Sequence, residues 1–360
     1  MTALDVVIMA AGKGTRMKSS MPKVLHPLAG KPLVQHVIDT AHALHTRNTI
    51  LITGHGAEIV EPLLQKAYPQ KALQFAKQMP QLGTGHAVQQ ALPLLDDDGV
   101  VVVLSGDVPL TQADTLQALI KACDGKNIAL LTIDFEDPTG YGRIVRGFDH
   151  QVHDIIEHKD ANELQREIKE IYSGIMAVPA KWLKKWLPQL KNDNAQKEFY
   201  LTDVVRMAVA DRVHVVAHKI TDPAQVAGIN SPLQLAELER IYQTRQAHAL
   251  LDQGVRIIDP ARIDVRGSLV CKEDVLIDIN CIFEGHVQLG VGVHIGAHCV
   301  IANCVIEDGA VILPFTHIDG ELQGITVGKG ARVGPYARLR PGAQLGSDVH
   351  VGNFVEIKNS

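Results

Sequence analysis

The chain has no run of about 18 apolar residues, the length a membrane-spanning helix requires, and no charged segment ahead of an apolar core at its start. Neither membrane spanning nor export is therefore expected, and a cytoplasmic location is the default. Cysteine is scarce as well. The five present are an odd number without a C-x-x-C pair, which fits reduced thiols better than a disulfide framework or a zinc site. Cys281, Cys299 and Cys304 read as small packing residues. No basic run stands out and the formal net charge is −5, so nucleic acid is not expected as the main partner. A phosphorylated small molecule needs only local cations, and those are present. With 46% hydrophobic and 21% charged residues over 360 positions, the composition is that of an ordinary soluble protein long enough for two domains.

Up to about residue 230, apolar runs alternate with segments of helical period. Residues 49–53, 100–104 and 129–133 read as strands, and Leu33, Val34, Val37, Ile38, Ala41 and Leu44 share one helical stripe. The alternation predicts an α/β domain with a mainly parallel sheet over 1–230. Ser231-Pro232-Leu233-Gln234 then supplies an N-cap, a proline at the first helical position and a capping-box glutamine. The helix it opens stops at Gly254, and its stripe of Leu235, Leu238, Tyr242 and Ala249 predicts a linker helix over 231–254.

From Val255 the rhythm changes. Ile277, Phe283, Leu289, Ile295 and Ile301 recur every six residues, a second phase runs through Ile306, Ile312 and Ile318, and a third through Val327, Val333, Leu339, Leu345, Val351 and Ile357. One inward aliphatic residue per hexad, with Gly, Asp and Asn turns between, predicts a parallel β-helix over 255–360, with a short loop between coils at 322–326. His294 and His298 are not expected to form a metal pair, because their i, i+4 spacing puts two ligands on one face only in a helix.

The first chemical motif follows the first apolar run: Met9-Ala10-Ala11-Gly12-Lys13-Gly14-Thr15-Arg16-Met17, with Lys23 shortly after in Met21-Pro22-Lys23. A glycine turn exposes backbone N–H groups, and the cations Lys13, Arg16 and Lys23 suit a triphosphate, whose transition state needs dispersed positive charge. A dinucleotide fingerprint fails because Met17 stands where its third glycine belongs, and no Walker loop is present. The alternative is a tight strand-to-helix turn flanked by surface cations. Next, the dense apolar run ending at Leu104 marks a central strand, with Ser105-Gly106-Asp107 at its carboxyl end, where open α/β sheets hold ligands. A carboxylate there suits Mg²⁺ on phosphates, and a plain turn or cap role for Asp107 stays open. Asn230 is either a second magnesium ligand or a turn residue. Gln78-Met79-Pro80-Gln81-Leu82-Gly83-Thr84 offers amides, a hydroxyl and approachable backbone to a base, or is a polar loop. Gly142 and Glu157 offer a turn and a carboxylate to sugar hydroxyls, and Glu157 could equally be a solvated charge.

The G-x-G-T-R-M loop with its following P-K closely resembles the signature of the nucleotide-sugar pyrophosphorylases, and the hexads resemble the left-handed β-helix of hexapeptide-repeat acyltransferases. In this order, over nearly the whole chain, the motifs resemble the bacterial bifunctional N-acetylglucosamine-1-phosphate uridylyltransferase and glucosamine-1-phosphate N-acetyltransferase family. The resemblance implies a Rossmann-like nucleotidyltransferase domain, a linker helix and a left-handed parallel β-helix. It also implies Mg²⁺-dependent transfer of UMP from UTP to N-acetylglucosamine 1-phosphate, giving pyrophosphate and UDP-N-acetylglucosamine, a precursor of peptidoglycan and lipopolysaccharide. By the same resemblance Met9, Ala10, Ala11, Gly12, Arg16 and Lys23 face the triphosphate and uridine, and Gln78, Gln81, Gly83 and Thr84 read uracil. Ser105 and Gly106 border the substrate, Gly142 and Glu157 hold the sugar, and Asp107 and Asn230 are the Mg²⁺ ligands. Arg16, Lys23 and Asp107 form the implied catalytic set. A sibling ADP-glucose or thymidylyl transferase would share the glycine loop and differ in its nucleotide.

One departure concerns the sugar. Where the family has Asn in an E-I-N-T-G stretch, this chain has Glu170-Ile171-Tyr172-Ser173-Gly174, so that contact does not carry over to Tyr172. Arg340 and Lys358 match family residues that bind substrate for acetyl transfer from acetyl-CoA to glucosamine 1-phosphate. The family's histidine base, in a K-A-G-H-like stretch, has no match here. The hexads stop in mid-rhythm at Ile357, so the expectation is a C-terminally truncated chain with an incomplete acetyltransferase site. The resemblance further implies a homotrimer built through the β-helix.

Overall fold

The apolar, β-branched run Leu4–Met9 forms the centre of a sheet in the computed structural model, which describes residues 3–70 and 73–358. It pairs in parallel with Asn48–Thr53 on one side and Val100–Ser105 on the other, in a register that sets Met9 beside both Ile52 and Ser105. Leu73–Lys77 continues the sheet beyond Asn48–Thr53. On the other side Val100–Ser105 is followed by Glu170–Pro179, Ile128–Asp134 and Val215–Lys219. Glu170–Pro179 runs antiparallel to both its neighbours, and Gly142–Arg146 with Val152–Ile156 forms a ribbon beside it. The central strands Leu4–Met9 and Val100–Ser105 are apolar on both faces because both faces are covered. Val7 packs with Ile52, Val103 and Met176 on one face, while Val6 and Ile8 pack with Leu51, Val102 and Leu104 on the other. The three predicted strands and the helix Leu33–Ala43 are present.

Two compact units result, Met1–His26 with Pro32–Gln234, and Pro27–Lys31 with Leu235–Ser360. The helix Pro232–Asp252 opens as its cap predicts, with one change of partner. The N–H of Gln234 donates to Ser231 Oγ at 3.3 Å, but Gln234 Oε1 accepts from the N–H of Asn230 at 2.8 Å instead of from Ser231. Its buried stripe is Leu238, Gln243, Ala247 and Leu250, so the expected stripe is corrected at Ala249, which is exposed. Gln243 explains the shift. Its amide donates to Val265 O at 3.0 Å and to Glu239 Oε1 at 2.8 Å and accepts from Val265 N at 2.7 Å, so both donors and the acceptor of this buried polar side chain are satisfied.

The second unit is the left-handed β-helix. One of its ladders stacks Arg256–Ile257, Leu276–Ile277, His294–Ile295, Val311–Ile312, Arg332–Val333 and His350–Val351, all in parallel. The hexad residues from Ile277 to Val351 are buried in one core. The loop expected at 322–326 is corrected: the turn ends at Gly324, and Ile325–Val327 is a strand paired with Cys304, Val305 and Ile306, because Ile325 and Val327 both point inward. Burial pushes the Cys281 thiol up to about 11 and those of Cys299 and Cys304 up to about 12, as inert packing residues require. His298 stacks on Phe315, Phe315 on Tyr336 and Tyr336 on Phe354, with centroids 4.8, 4.9 and 5.3 Å apart. All four sit in the left-handed region, with φ of 62°, 59°, 54° and 56°. Among the described residues no group of three or more His, Cys, Asp or Glu could hold a metal, and no helix is long and apolar enough to cross a membrane.

One buried ion pair anchors the start of the central strand. Asp5 is fully buried and its carboxylate accepts from Arg47 Nε at 3.0 Å, Arg47 Nη2 at 2.6 Å and Asn48 Nδ2 at 3.0 Å. Arg47→Ala leaves that carboxylate without its counter-ion. We expect a loss of about 2–3 kcal/mol, below the ~3–5 of a fully buried pair because Arg47 is partly open to solvent. Urea denaturation checks this, and Lys126→Ala, in an exposed pair with Asp124, serves as the near-neutral control.

Candidate active site

The glycine loop and the aspartate loop leave adjacent strands at the same level. The N–H of Gly106 donates to Met9 O at 2.9 Å and that of Ala10 to Ile52 O at 2.8 Å, which fixes both loops at the carboxyl ends of the central strands. The chain then turns through Thr15–Met17, a 3₁₀ turn and not the first turn of a long helix. Among the described residues the N–H groups of Gly12, Lys13 and Gly14 have no acceptor. A Cβ on Gly12 would meet nothing within 4 Å, so its backbone lies open to a ligand. Gly14 has φ +60°, and a Cβ there would stand 2.6 Å from Lys23 Cβ, so glycine is what lets the Lys23 stem pass.

Lys23 reaches Asp107 Oδ2 and, at 3.1 Å, Asn230 Oδ1. Ser105 Oγ donates to Asp107 Oδ1 at 2.6 Å, so each carboxylate oxygen has a partner. Asn230 is held close by the N–H of Ile229 donating to Asp107 O at 2.9 Å. A cavity of about 270 Å³ opens beside this cluster. Met9, Ala10, Ala11, Gly12, Lys23, Gln78, Gln81, Gly83, Thr84, Ser105 and Asp107 line it, which brings together three segments far apart in sequence. Arg16, Gly106 and Asn230 do not line it. Arg16 is exposed on the 3₁₀ turn and, among the described residues, makes no ion pair.

Gln78 is buried, and its Nε2 donates to Gly83 O at 2.8 Å, which shapes the loop it belongs to. Gly83 has φ +107°, and a Cβ there would lie 2.6 Å from Phe199 O. The segment 198–202 zips along this loop: the N–H of Phe199 donates to Leu82 O at 2.8 Å, that of Gly85 to Phe199 O at 2.8 Å, and that of Leu201 to Thr84 Oγ1 at 3.0 Å. Sequence reading missed this segment, although Glu198 lines the first cavity and Leu201 and Thr202 a second. It has neither strand nor helix period to announce it.

The second cavity, about 180 Å³, shares Met9 and Thr84 with the first and contains Gly142, Glu157, Tyr172 and Thr202. Thr202 Oγ1 donates to Glu157 Oε1 at 3.0 Å. Burial nevertheless pushes the Glu157 carboxyl above its ordinary value, with Asp160, Asp203 and Glu198 adding to the rise. Tyr172 is buried on this wall with its phenol pushed well above the ordinary value by burial, and its hydroxyl finds no partner among the described residues. In the other unit, Arg340 N–H donates to Ile357 O at 2.9 Å, which sets Arg340 one coil from Lys358, and Arg340 Nη1 pairs with Glu356 Oε1 at 3.2 Å.

Residues 6–254 match the MobA-like NTP transferase domain, and residues 324–359 match the bacterial transferase hexapeptide (six repeats). The chain is 63% identical to the bifunctional protein GlmU of Paracidovorax citrulli (strain AAC00-1) over 369 aligned positions, covering all of this chain and 78% of that protein. It is 65% identical to the bifunctional protein GlmU of Polaromonas naphthalenivorans (strain CJ2), covering 99% of this chain and 77% of that protein. A crystal structure of UDP-glucose pyrophosphorylase complexed with UDP-glucose shares the fold, with a TM-score of 0.55 at 17% identity over 68% of this chain and 99% of that one. Nucleotidyltransferases of this type generally depend on a divalent metal ion and act on nucleotides. An NTP transferase unit with two motif-lined cavities, joined in one chain to hexapeptide coils and more than 60% identical to these relatives along its length, places the protein in the bifunctional GlmU family.

Proposed function

We propose that this chain transfers UMP from UTP to N-acetylglucosamine 1-phosphate, releasing pyrophosphate and forming UDP-N-acetylglucosamine, with Mg²⁺ as the metal. The convergence of Met9–Gly12, Gln78–Thr84 and Ser105–Asp107 on one cavity, with the Glu157 cavity adjoining it through Met9 and Thr84, carries this reading. Asp107 and Asn230 fit the metal: their side-chain oxygens already converge on one cation, the Lys23 ammonium, and hard oxygen donors of this kind suit Mg²⁺, which takes few protein ligands. Bound there, Mg²⁺ would supply charge neutralisation on the phosphate oxygens.

The chain's own residues do the positioning. The open N–H groups of Gly12 to Gly14 receive phosphate oxygens, and Arg16 and Lys23 add charge where it develops as pyrophosphate leaves. Gln78, committed through its Nε2 to Gly83, keeps its carbonyl oxygen for the base, and Gln81 and Thr84 frame the ring. Gly142 and Glu157 take the sugar, so that its phosphate oxygen attacks the α-phosphorus in line and no side chain acts as nucleophile. The acetyl transfer of the family would use acetyl-CoA and glucosamine 1-phosphate at Arg340 and Lys358, in a homotrimer built through the β-helix; no K-A-G-H-like stretch occurs in these 360 residues to complete that site.

A pyrophosphate-release assay over a matrix of nucleotides and sugar phosphates tests the proposal. The highest kcat/KM is expected for UTP with N-acetylglucosamine 1-phosphate; preference for ATP or dTTP overturns it. In the same assay Asp107→Ala is expected to lower kcat by ~10²–10³ or more with the fold retained. Arg16→Ala should lower kcat more than it raises KM, because its contact strengthens in the transition state, and a change in KM alone would assign it to ground-state binding.

Glu157 gives an expectation with opposite signs for stability and binding. Its folded carboxyl binds a proton more tightly than the unfolded one. Its contribution to stability is therefore fully present below the ordinary carboxylate range and is lost as pH rises through the raised value. Glu157→Gln should raise Tm at about pH 7 to 8, with the gain shrinking toward about pH 4, where the unfolded carboxyl is itself protonated. The same variant should raise KM for the sugar phosphate and leave KM for UTP unchanged. Differential scanning calorimetry at the two pH values, paired with initial rates, measures both effects.

A further inference from the structure

The oxygens assigned above to the metal hold a cation of the protein's own. Lys23 Nζ donates to Asp107 Oδ2 and to Asn230 Oδ1 at 3.1 Å, and the Lys23 and Asp107 side chains are each 13% exposed. An ammonium donating to these oxygens and a divalent ion coordinated by them cannot occupy the same place, since like charges at contact distance in a partly desolvated site repel strongly. One must leave before the other enters. The Lys23 backbone is fixed, with the N–H of Leu25 donating to Pro22 O at 2.9 Å and that of His26 to Lys23 O at 3.2 Å. Its side chain is a flexible four-carbon stem that passes over Gly14 beside the open N–H groups of the glycine loop.

We propose that Lys23 is an exchangeable counter-ion of the metal site. Its ammonium neutralises Asp107 before the divalent ion binds, gives up both oxygens when that ion arrives, and turns to the phosphates that the glycine loop receives. The inference rests on the assignment of Asp107 and Asn230 to the metal. Displacing Lys23 without giving it a new anion is unfavourable, so metal should bind weakly alone and more tightly with a triphosphate, and the coupling is reciprocal. Lys13 provides the contrast: it lies exposed on the same loop and, among the described residues, touches neither oxygen.

The test is Mn²⁺ binding followed by electron paramagnetic resonance on the 360-residue chain without nucleotide. Lys23→Met and Lys23→Gln are expected to bind Mn²⁺ roughly tenfold more tightly than the parent, or better. Lys13→Met, which removes the same charge from solvent, should change the affinity by less than about threefold. Asp107→Asn should lose the site. If Asp107→Asn loses Mn²⁺ while both Lys23 variants bind it no better than the parent, or Lys13→Met tightens it equally, the exchange is overturned and the metal assignment stands. If Asp107→Asn binds Mn²⁺ undiminished, the assignment falls and the exchange with it. Circular dichroism confirms the fold of each variant, and the two Lys23 substitutions must agree.

Discussion

The parallel pairing of Leu4–Met9 with two neighbours at once is the constraint on which the chemistry depends. The glycine loop, the aspartate loop and the start of the next crossover lie many tens of residues apart in the chain, and the register Met9 to Ser105 and Met9 to Ile52 sets them level. A slip of one residue would carry Asp107 about 3.3 Å along the strand from the glycine loop beside which it now stands. Asp5 pins the opposite end of the same strand through Arg47 and Asn48, so the register is held by charge at one end and by backbone bonds from Ala10 and Gly106 at the other.

Packing takes different forms in the two units. In the first, the central strands bury residues on both faces, and the core forms from segments distant in sequence. In the second, neighbouring coils meet through residues about eighteen positions apart, as in Ile277 to Ile295 and Phe283 to Ile301, and one aliphatic position per hexad is enough. Each coil therefore depends mainly on its immediate neighbours, as in other solenoids.

What the sequence disclosed, and what it hid, follows this difference. The hexads were legible because their period is local, and the dense run 100–104 was legible because a strand covered on both faces is apolar throughout. The segment 198–202 was hidden because its role comes from pairing with a loop more than a hundred residues away. Gln243 was hidden for a related reason. Its buried amide bonds Glu239 one turn back on the same helix and both backbone groups of Val265, and the Val265 bonds lie outside any pattern on the helix. The motifs named the residues of the cavity, but the company of Lys23 with Asp107 and Asn230 needed the fold, since the three stand 84 and 207 positions apart. Tyr172 was visible as a departure and its lack of a partner was not.

The column of His298, Phe315, Tyr336 and Phe354 has a consequence for how the solenoid can change length. Its ring spacings of 4.8 to 5.3 Å match the rise from one strand to the next, so the column works as a toothed rack cut to the pitch of the coils. Extra residues inserted at that corner would drop a tooth, removing the stacking that offsets four side chains held in the left-handed region. The added turn around Leu322 stands at a different corner, between His317–Asp319 and Ile325–Val327, where no ring has to mesh. Growth of the chain by insertion is thus steered to the corners without teeth, and the toothed corner keeps the count of coils.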